Sequence, residues 1–148
     1  MKEKGNIPGN RLKSFQPVID SRSKILILGS MPGAESLRKG EYYANSRNMF
    51  WKIIYAVFDS EPSPSYEERL RFLLSKGIAL WDVMESCERE GSLDSCIRKE
   101  RCNNFDNLLK KYTGIRYMLF NGSKARETYR KHSGFYNTDR LVCLKLPS

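Results

Sequence analysis

The sequence predicts one α/β domain, a three-layer α/β/α sandwich around a central four-stranded parallel sheet. Two observations predict it. Four short apolar runs, beginning at Ile25, Ile78, Ile115 and Leu141, are separated by segments with helical spacing. The resulting order, β-α-α-β-α-β-α-β, is that of a parallel sheet covered by helices on both sides. The length of 148 residues suits one domain and leaves little room for two.

The elements follow in chain order. Residues 1–22 are rich in Lys, Arg, Asn and Ser and hold Pro8 and Pro17, so they read as a basic, irregular arm ahead of a single domain over 23–148. Lys24-Ile-Leu-Ile-Leu-Gly29 sets consecutive apolar residues before a glycine, as in a strand buried on both faces. Residues 30–47, with Gly33, Gly40 and one proline, read as a long loop. Phe50, Ile53, Ile54 and Val57 recur at helical spacing, so a helix is expected from Arg47 or Asn48 until Glu61-Pro-Ser-Pro-Ser65 breaks it. Ser65, with Glu67 and Glu68 behind it, opens a second helix to about Lys76, and Gly77 stops it. Residues 78–83 form the second strand, and a polar loop is expected from there to about Asn103. Asn104 caps a helix over 105–112, residues 115–120 are the third strand, Asn121-Gly-Ser123 is a turn and cap, 125–132 is a helix, and 141–144 is the last strand.

The 26 Lys and Arg against 17 Asp and Glu give a formal net charge of +9, which favours a polyanionic partner, nucleic acid first among them. No apolar run approaches the ~20 residues that span a bilayer. Residues 1–10 lack the apolar stretch of a signal peptide, so a cytoplasmic protein with no membrane partner is expected. Cys87, Cys96, Cys102 and Cys143 form no Cys-x-x-Cys pair, and read as reduced thiols with no metal. The single histidine, His132, lies in a polar helical stretch and reads as a surface residue.

In open α/β sheets, ligands bind outside the carboxyl ends of the strands. That rule points to residues 29–33, 82–84, 121–123 and 146–148. Gly29, Ser30, Met31, Pro32 and Gly33 form a glycine-bounded loop just after a buried strand, where backbone N–H groups can bind a phosphate or a polarised carbonyl. It is no Walker loop, because no Gly-Lys-Ser/Thr follows, and it lacks the third glycine of the dinucleotide fingerprint. Tyr42 and Tyr43 either cover the sheet edge or leave one ring free to stack on a base, a contact worth roughly 1–3 kcal/mol. Asn48 is either a helix cap or a functional amide, and Phe50 and Trp51 read as core.

Gly29-Ser-Met-Pro-Gly33 resembles the first motif of the uracil-DNA glycosylase superfamily. Tyr43-Ala-x-x-x-Asn48-x-Phe50-Trp51-Lys-Ile-Ile54 is similar to the stretch that follows it in mismatch-specific uracil-DNA glycosylases. The hypoxanthine-DNA (deoxyinosine) glycosylase group is closer still, through Tyr42-Tyr-Ala44, Leu80-Trp-Asp-Val83, Gly91-Ser-Leu-Asp94, Asn104-Phe-x-x-Leu-Leu109 and Phe120-Asn-Gly122. The resemblance implies a monofunctional, monomeric glycosylase that flips a deaminated base out of DNA and hydrolyses its N-glycosidic bond without a cofactor. It implies that the first loop, Tyr43 and Asn121 bind the base. In most of the superfamily the first loop carries an Asp or Asn that orients water; Met31 stands there, and the essential amide of the hypoxanthine group matches Asn48. Arg47, Lys124 and Ser148 are expected on DNA phosphates. Leu146-Pro-Ser148 resembles the start of the second motif, within which the domain is expected to be cut short. Hypoxanthine, with uracil second, is the expected base. The alternatives are a catalytically inactive nucleic-acid-binding protein of the same fold, or a small-nucleotide-binding α/β protein.

Overall fold

A computed structural model describes residues 11–133 and 141–147. Its centre is a parallel sheet of four strands in the order β3-β2-β6-β7, where β2 is Ile25–Gly29, β3 Ile78–Asp82, β6 Tyr117–Asn121 and β7 Val142–Leu146. The chain runs from β2 to β3 on one side and then crosses to β6 on the other, so loops part at the carboxyl end of β2. This is the place where open α/β sheets bind ligands.

Side chains alternate across a strand, and both faces of this sheet are covered. Leu26 and Leu28 of β2 and Met118 and Phe120 of β6 pack with Phe105, Leu108 and Leu109 of α4 (Phe105–Lys111) and with Ala125 and Tyr129 of α5 (Ser123–Ser133). Ile27, Ile78 and Leu80 face the other way, onto Trp51 and Tyr55 of α2 (Phe50–Val57) and Leu73 of α3 (Tyr66–Ser75). Three layers result, as the sequence predicts. Leu26, Leu28 and Leu80 are fully buried, so truncating any one to alanine is expected to cost about 2–5 kcal/mol. Two expected caps are made: Ser65 accepts from the Glu68 amide and Asn104 from the Asn107 amide.

Three segments differ from the sequence expectation. Residues 11–13, expected irregular, form β1 (Arg11–Lys13), and Val18 and Leu80 exchange backbone hydrogen bonds of 2.9 Å each. The Arg11 guanidinium anchors β1 by donating to Ser86 Oγ and the Lys99 carbonyl. Residues 34–39, expected as loop, form the short helix α1 (Ala34–Lys39), ended by Gly40 in the left-handed conformation, φ 69°. The expected polar loop before Asn103 is a second sheet, β1-β4-β5, with β4 Met84–Glu88 and β5 Arg98–Cys102 antiparallel. Its sequence is polar because only one face is covered, over a small cluster of Met31, Met84, Cys87 and Ile97. Among the described residues no helix is long and apolar enough to cross a membrane.

Candidate active site

A cavity of about 270 Å³ opens at the carboxyl ends of β2, β3 and β6. It lies near the lower edge of the range, roughly 300–1,000 Å³, of small-molecule sites, a scale that suits one heterocycle. Its walls are the loop over 29–33, Tyr43, Asn48, Asp82 and Asn121. The structure therefore brings together every base-binding residue expected from the sequence, and Asn48 with them.

The first loop is held by its neighbours. The Val83 and Met84 amides donate to the Gly29 and Ser30 carbonyls at 2.8 and 3.1 Å, continuing the β2–β3 ladder past the strand ends. Ser30 Oγ donates to Asp94 Oδ1 at 2.8 Å, and Ser92 Oγ accepts from the Ala34 amide at 2.8 Å. Arg89, buried, donates from Nη2 to the Pro32 carbonyl at 2.6 Å and from Nε to the Gly91 carbonyl at 2.9 Å. Those contacts leave the Met31 and Gly33 amides without an acceptor among the described residues. Orphan amides beside a cavity are ready donors for a ligand oxygen or ring nitrogen. The Met31 side chain points into the cluster with Met84 and Cys87, so at this position only the backbone is available for polar contact.

The two tyrosines divide their roles. Tyr42 is structural: its hydroxyl donates to the Gln16 carbonyl, its amide donates to Tyr66 Oη and its carbonyl accepts from Trp51 Nε1. Tyr43 lines the cavity with a backbone φ of 56°, a left-handed conformation that costs a bulky residue about 1–3 kcal/mol. Stacking on Phe50, 3.9 Å between ring centroids, and a hydrogen bond from Asn121 Nδ2 at 3.3 Å hold it there. Burial, first, and the nearby Asp82 push the Tyr43 phenol above its ordinary value.

Asn48 is exposed at the mouth, ahead of α2. Its Oδ1 accepts from the Phe50 amide at 2.8 Å, a local turn that fixes the side chain. The helix begins two or three residues later than expected, with Met49 at its cap position, so Asn48 closes the turn ahead of α2 and is not the cap itself. With the oxygen engaged, the Nδ2 hydrogens are what the side chain can offer a ligand.

The strand-end rule pointed to residues 82–84 but assigned Asp82 no role. Asp82 ends β3, pairs in register with Gly29, is 4% exposed, and its Oδ2 has no hydrogen-bond partner. Burial, then the charge of Asp94, pushes its carboxyl up to about 7, against a partial offset from Arg89. Gly29 is what lets this side chain fit, because a Cβ there would stand 2.6 Å from Asp82 Oδ1. A single acid closing an apolar run, at a strand end and within the Leu80-Trp-Asp-Val83 motif, was the signal in the sequence.

Of the expected phosphate contacts, Arg47 is exposed and Lys124 half-buried, and among the described residues neither has a carboxylate within ion-pair distance. Ser148 lies outside the described residues. Arg38 and Lys39 pair with Glu35, and Lys131 with Glu100, so those cations are partly neutralised at home; His132 Nε2 also lies 3.2 Å from Glu100 Oε2. No group of three metal-ligating side chains is assembled among the described residues.

Comparison with known proteins places the chain. It is 41% identical over 116 residues to a hypoxanthine DNA glycosylase of Methanosarcina acetivorans, covering 78% of this chain and 73% of the relative. A hypoxanthine DNA glycosylase of Methanosarcina barkeri is 40% identical over the same shares. The solution NMR structure of a candidate uracil DNA glycosylase from Methanosarcina acetivorans superposes with a TM-score of 0.80 at 37% identity, covering 93% of this chain and 84% of that one. The family model described as the uracil DNA glycosylase superfamily matches residues 16–148. That span takes in every segment lining the cavity, and the chain belongs to the uracil DNA glycosylase superfamily.

Proposed function

We propose that this chain is a monofunctional DNA glycosylase that excises hypoxanthine, the deaminated form of adenine, from DNA, with uracil as a second substrate. The observation that carries the reading is a one-base cavity walled by unspent backbone amides, a fixed Asn48 and the ring of Tyr43. The two curated relatives bear the name of that activity. A flipped nucleotide enters with its base against Tyr43 and its sugar at the mouth. As the C1′–N bond stretches, the sugar gains positive charge and the base negative charge. Donors aimed at the base, Asn48 Nδ2 and the Met31 and Gly33 amides, stabilise that charge more in the transition state than in the ground state. An amide cannot take a proton from water, so Asn48 acts as a donor, not as a base. Arg47 and Lys124 meet phosphates and position the duplex without reading sequence. The chain acts as a monomer, in the cytoplasm, on DNA.

The test is incubation with duplexes holding one deoxyinosine or one deoxyuridine, followed by alkaline cleavage of abasic sites. Excision of hypoxanthine is expected, and Asn48→Ala is expected to slow it about 10²–10³-fold, the cost of one lost transition-state donor. Salt-sensitive DNA binding with no excision at either lesion would leave the second reading, an inactive binding protein, which the apolar Met31 favours.

A further inference from the structure

We infer that Asp82 is a catalytic residue, the acid that passes its proton to N7 of the flipped hypoxanthine as the glycosidic bond breaks; this rests on the glycosylase reading above. Its side chain lines the cavity where β3 ends beside Gly29. A carboxylate that served the fold would show its partner. Asp82 Oδ2 is buried and bonded to nothing, and among the described residues no Lys or Arg lies within ion-pair distance. Burying a charge without a partner is costly, so the group keeps its proton instead. The titratable groups around it agree. Asp94 opposes its ionisation, Arg89 favours it only in part, and Tyr42 and Tyr43 are phenols that burial pushes up and keeps neutral. The result, a carboxyl near 7, matches what acid catalysis at neutral pH needs.

The step balances. The C1′–N9 bond breaks with its electron pair on N9, the Asp82 proton moves to N7, and hypoxanthine departs as a neutral 7H tautomer. Water adds to C1′, and the proton it gives up returns to the Asp82 carboxylate through solvent. Asn48 cannot replace this function, because an amide is no proton source.

Two measurements test it. The first is the single-turnover rate on a deoxyinosine duplex from about pH 6 to about pH 9, for the wild type and the isosteric Asp82→Asn. The wild-type rate should fall about tenfold per pH unit above a midpoint near 7, and the variant should be flat and about 10²–10⁴-fold slower. The second is a ¹³C NMR titration of the Asp82 carboxyl in the free protein, which needs no turnover and should give the same midpoint. A variant that keeps the wild-type rate, or keeps the alkaline fall, overturns the inference, as does a carboxyl titrating near its ordinary 3.8. Absence of excision by the wild type itself overturns the glycosylase reading, and this inference with it.

Discussion

A buried acid that waits protonated should leave a mark on stability even with no DNA present. Asp82 titrates near 3.8 in an unfolded chain and near 7 here. Because the folded value is raised, the folded protein holds a proton that the unfolded chain has already released between these values. Stability from this group is therefore complete below about pH 4 and is lost as pH rises through about 7. A difference of about three pH units at about 1.4 kcal/mol each amounts to about 4 kcal/mol, an upper bound if water reaches the carboxylate once it ionises. Asparagine has the shape of the neutral acid and never ionises. Asp82→Asn should thus match the wild type near pH 4 and exceed it by a few kcal/mol at pH 8. Urea unfolding of both proteins at a series of pH values, followed by circular dichroism, measures the difference directly. A difference that stays constant with pH, or a variant less stable at pH 8, would refute the argument and show that the carboxylate is stabilised by groups not recognised above.

Other outcomes follow from the same geometry. Arg89→Met removes two hydrogen bonds from a buried guanidinium and strands the Pro32 carbonyl; about 3 kcal/mol of stability should be lost, and the Asp82 carboxyl should titrate higher without its nearby cation, both readable by urea unfolding and ¹³C NMR. In Gly29→Ala, the new Cβ lands 2.6 Å from Asp82 Oδ1, so the acid or the loop must move; a cost of about 1–3 kcal/mol and a loss of hypoxanthine excision are expected in the unfolding and duplex assays. Glu100 is held down to about 2 by a backbone amide, then by His132 and Lys131. Its folded value is lowered from 4.5, so its stabilisation is present above that value and lost as pH falls toward 2; His132→Ala should lower stability at neutral pH, and urea unfolding should show that difference shrinking as pH falls toward 2.

How much was legible in the sequence depended on whether the controlling interactions were local. The central sheet was, because β2 carries apolar residues on both of its faces and a glycine at its end, and Ser65 and Asn104 announce their helices through caps only three residues wide. The second sheet was not. Arg98-Lys-Glu-Arg-Cys102 has one half-buried face, and the sheet it joins is completed by β4 and by β1, whose Arg11 reaches Ser86 and the Lys99 carbonyl across 75 and 88 residues of sequence. Charged residues on the solvent side hide such a strand inside a segment that reads as loop.

The site divides along the same line. Asn48 and the first loop could be proposed in advance because short, ordered motifs single them out, and in the structure both line the cavity, with Asn48 Oδ1 closing the turn ahead of α2. Asp82 lay in a segment the strand-end rule and the Leu80-Trp-Asp-Val83 motif both marked, but nothing in that neighbourhood gave the carboxyl its chemistry. What makes it reactive is distributed: register opposite Gly29, the missing Cβ there, and the approach of Asp94 and Arg89 from the turn that clamps the first loop. Each of these sets either the space or the charge around one carboxyl. The first loop, proposed to bind the base, and Asp82 beside it are consequently one unit. Arg89 couples them: it fixes Pro32 by hydrogen bonding and tunes Asp82 by its charge, so a change at this one side chain should alter base binding and the pH dependence of excision together.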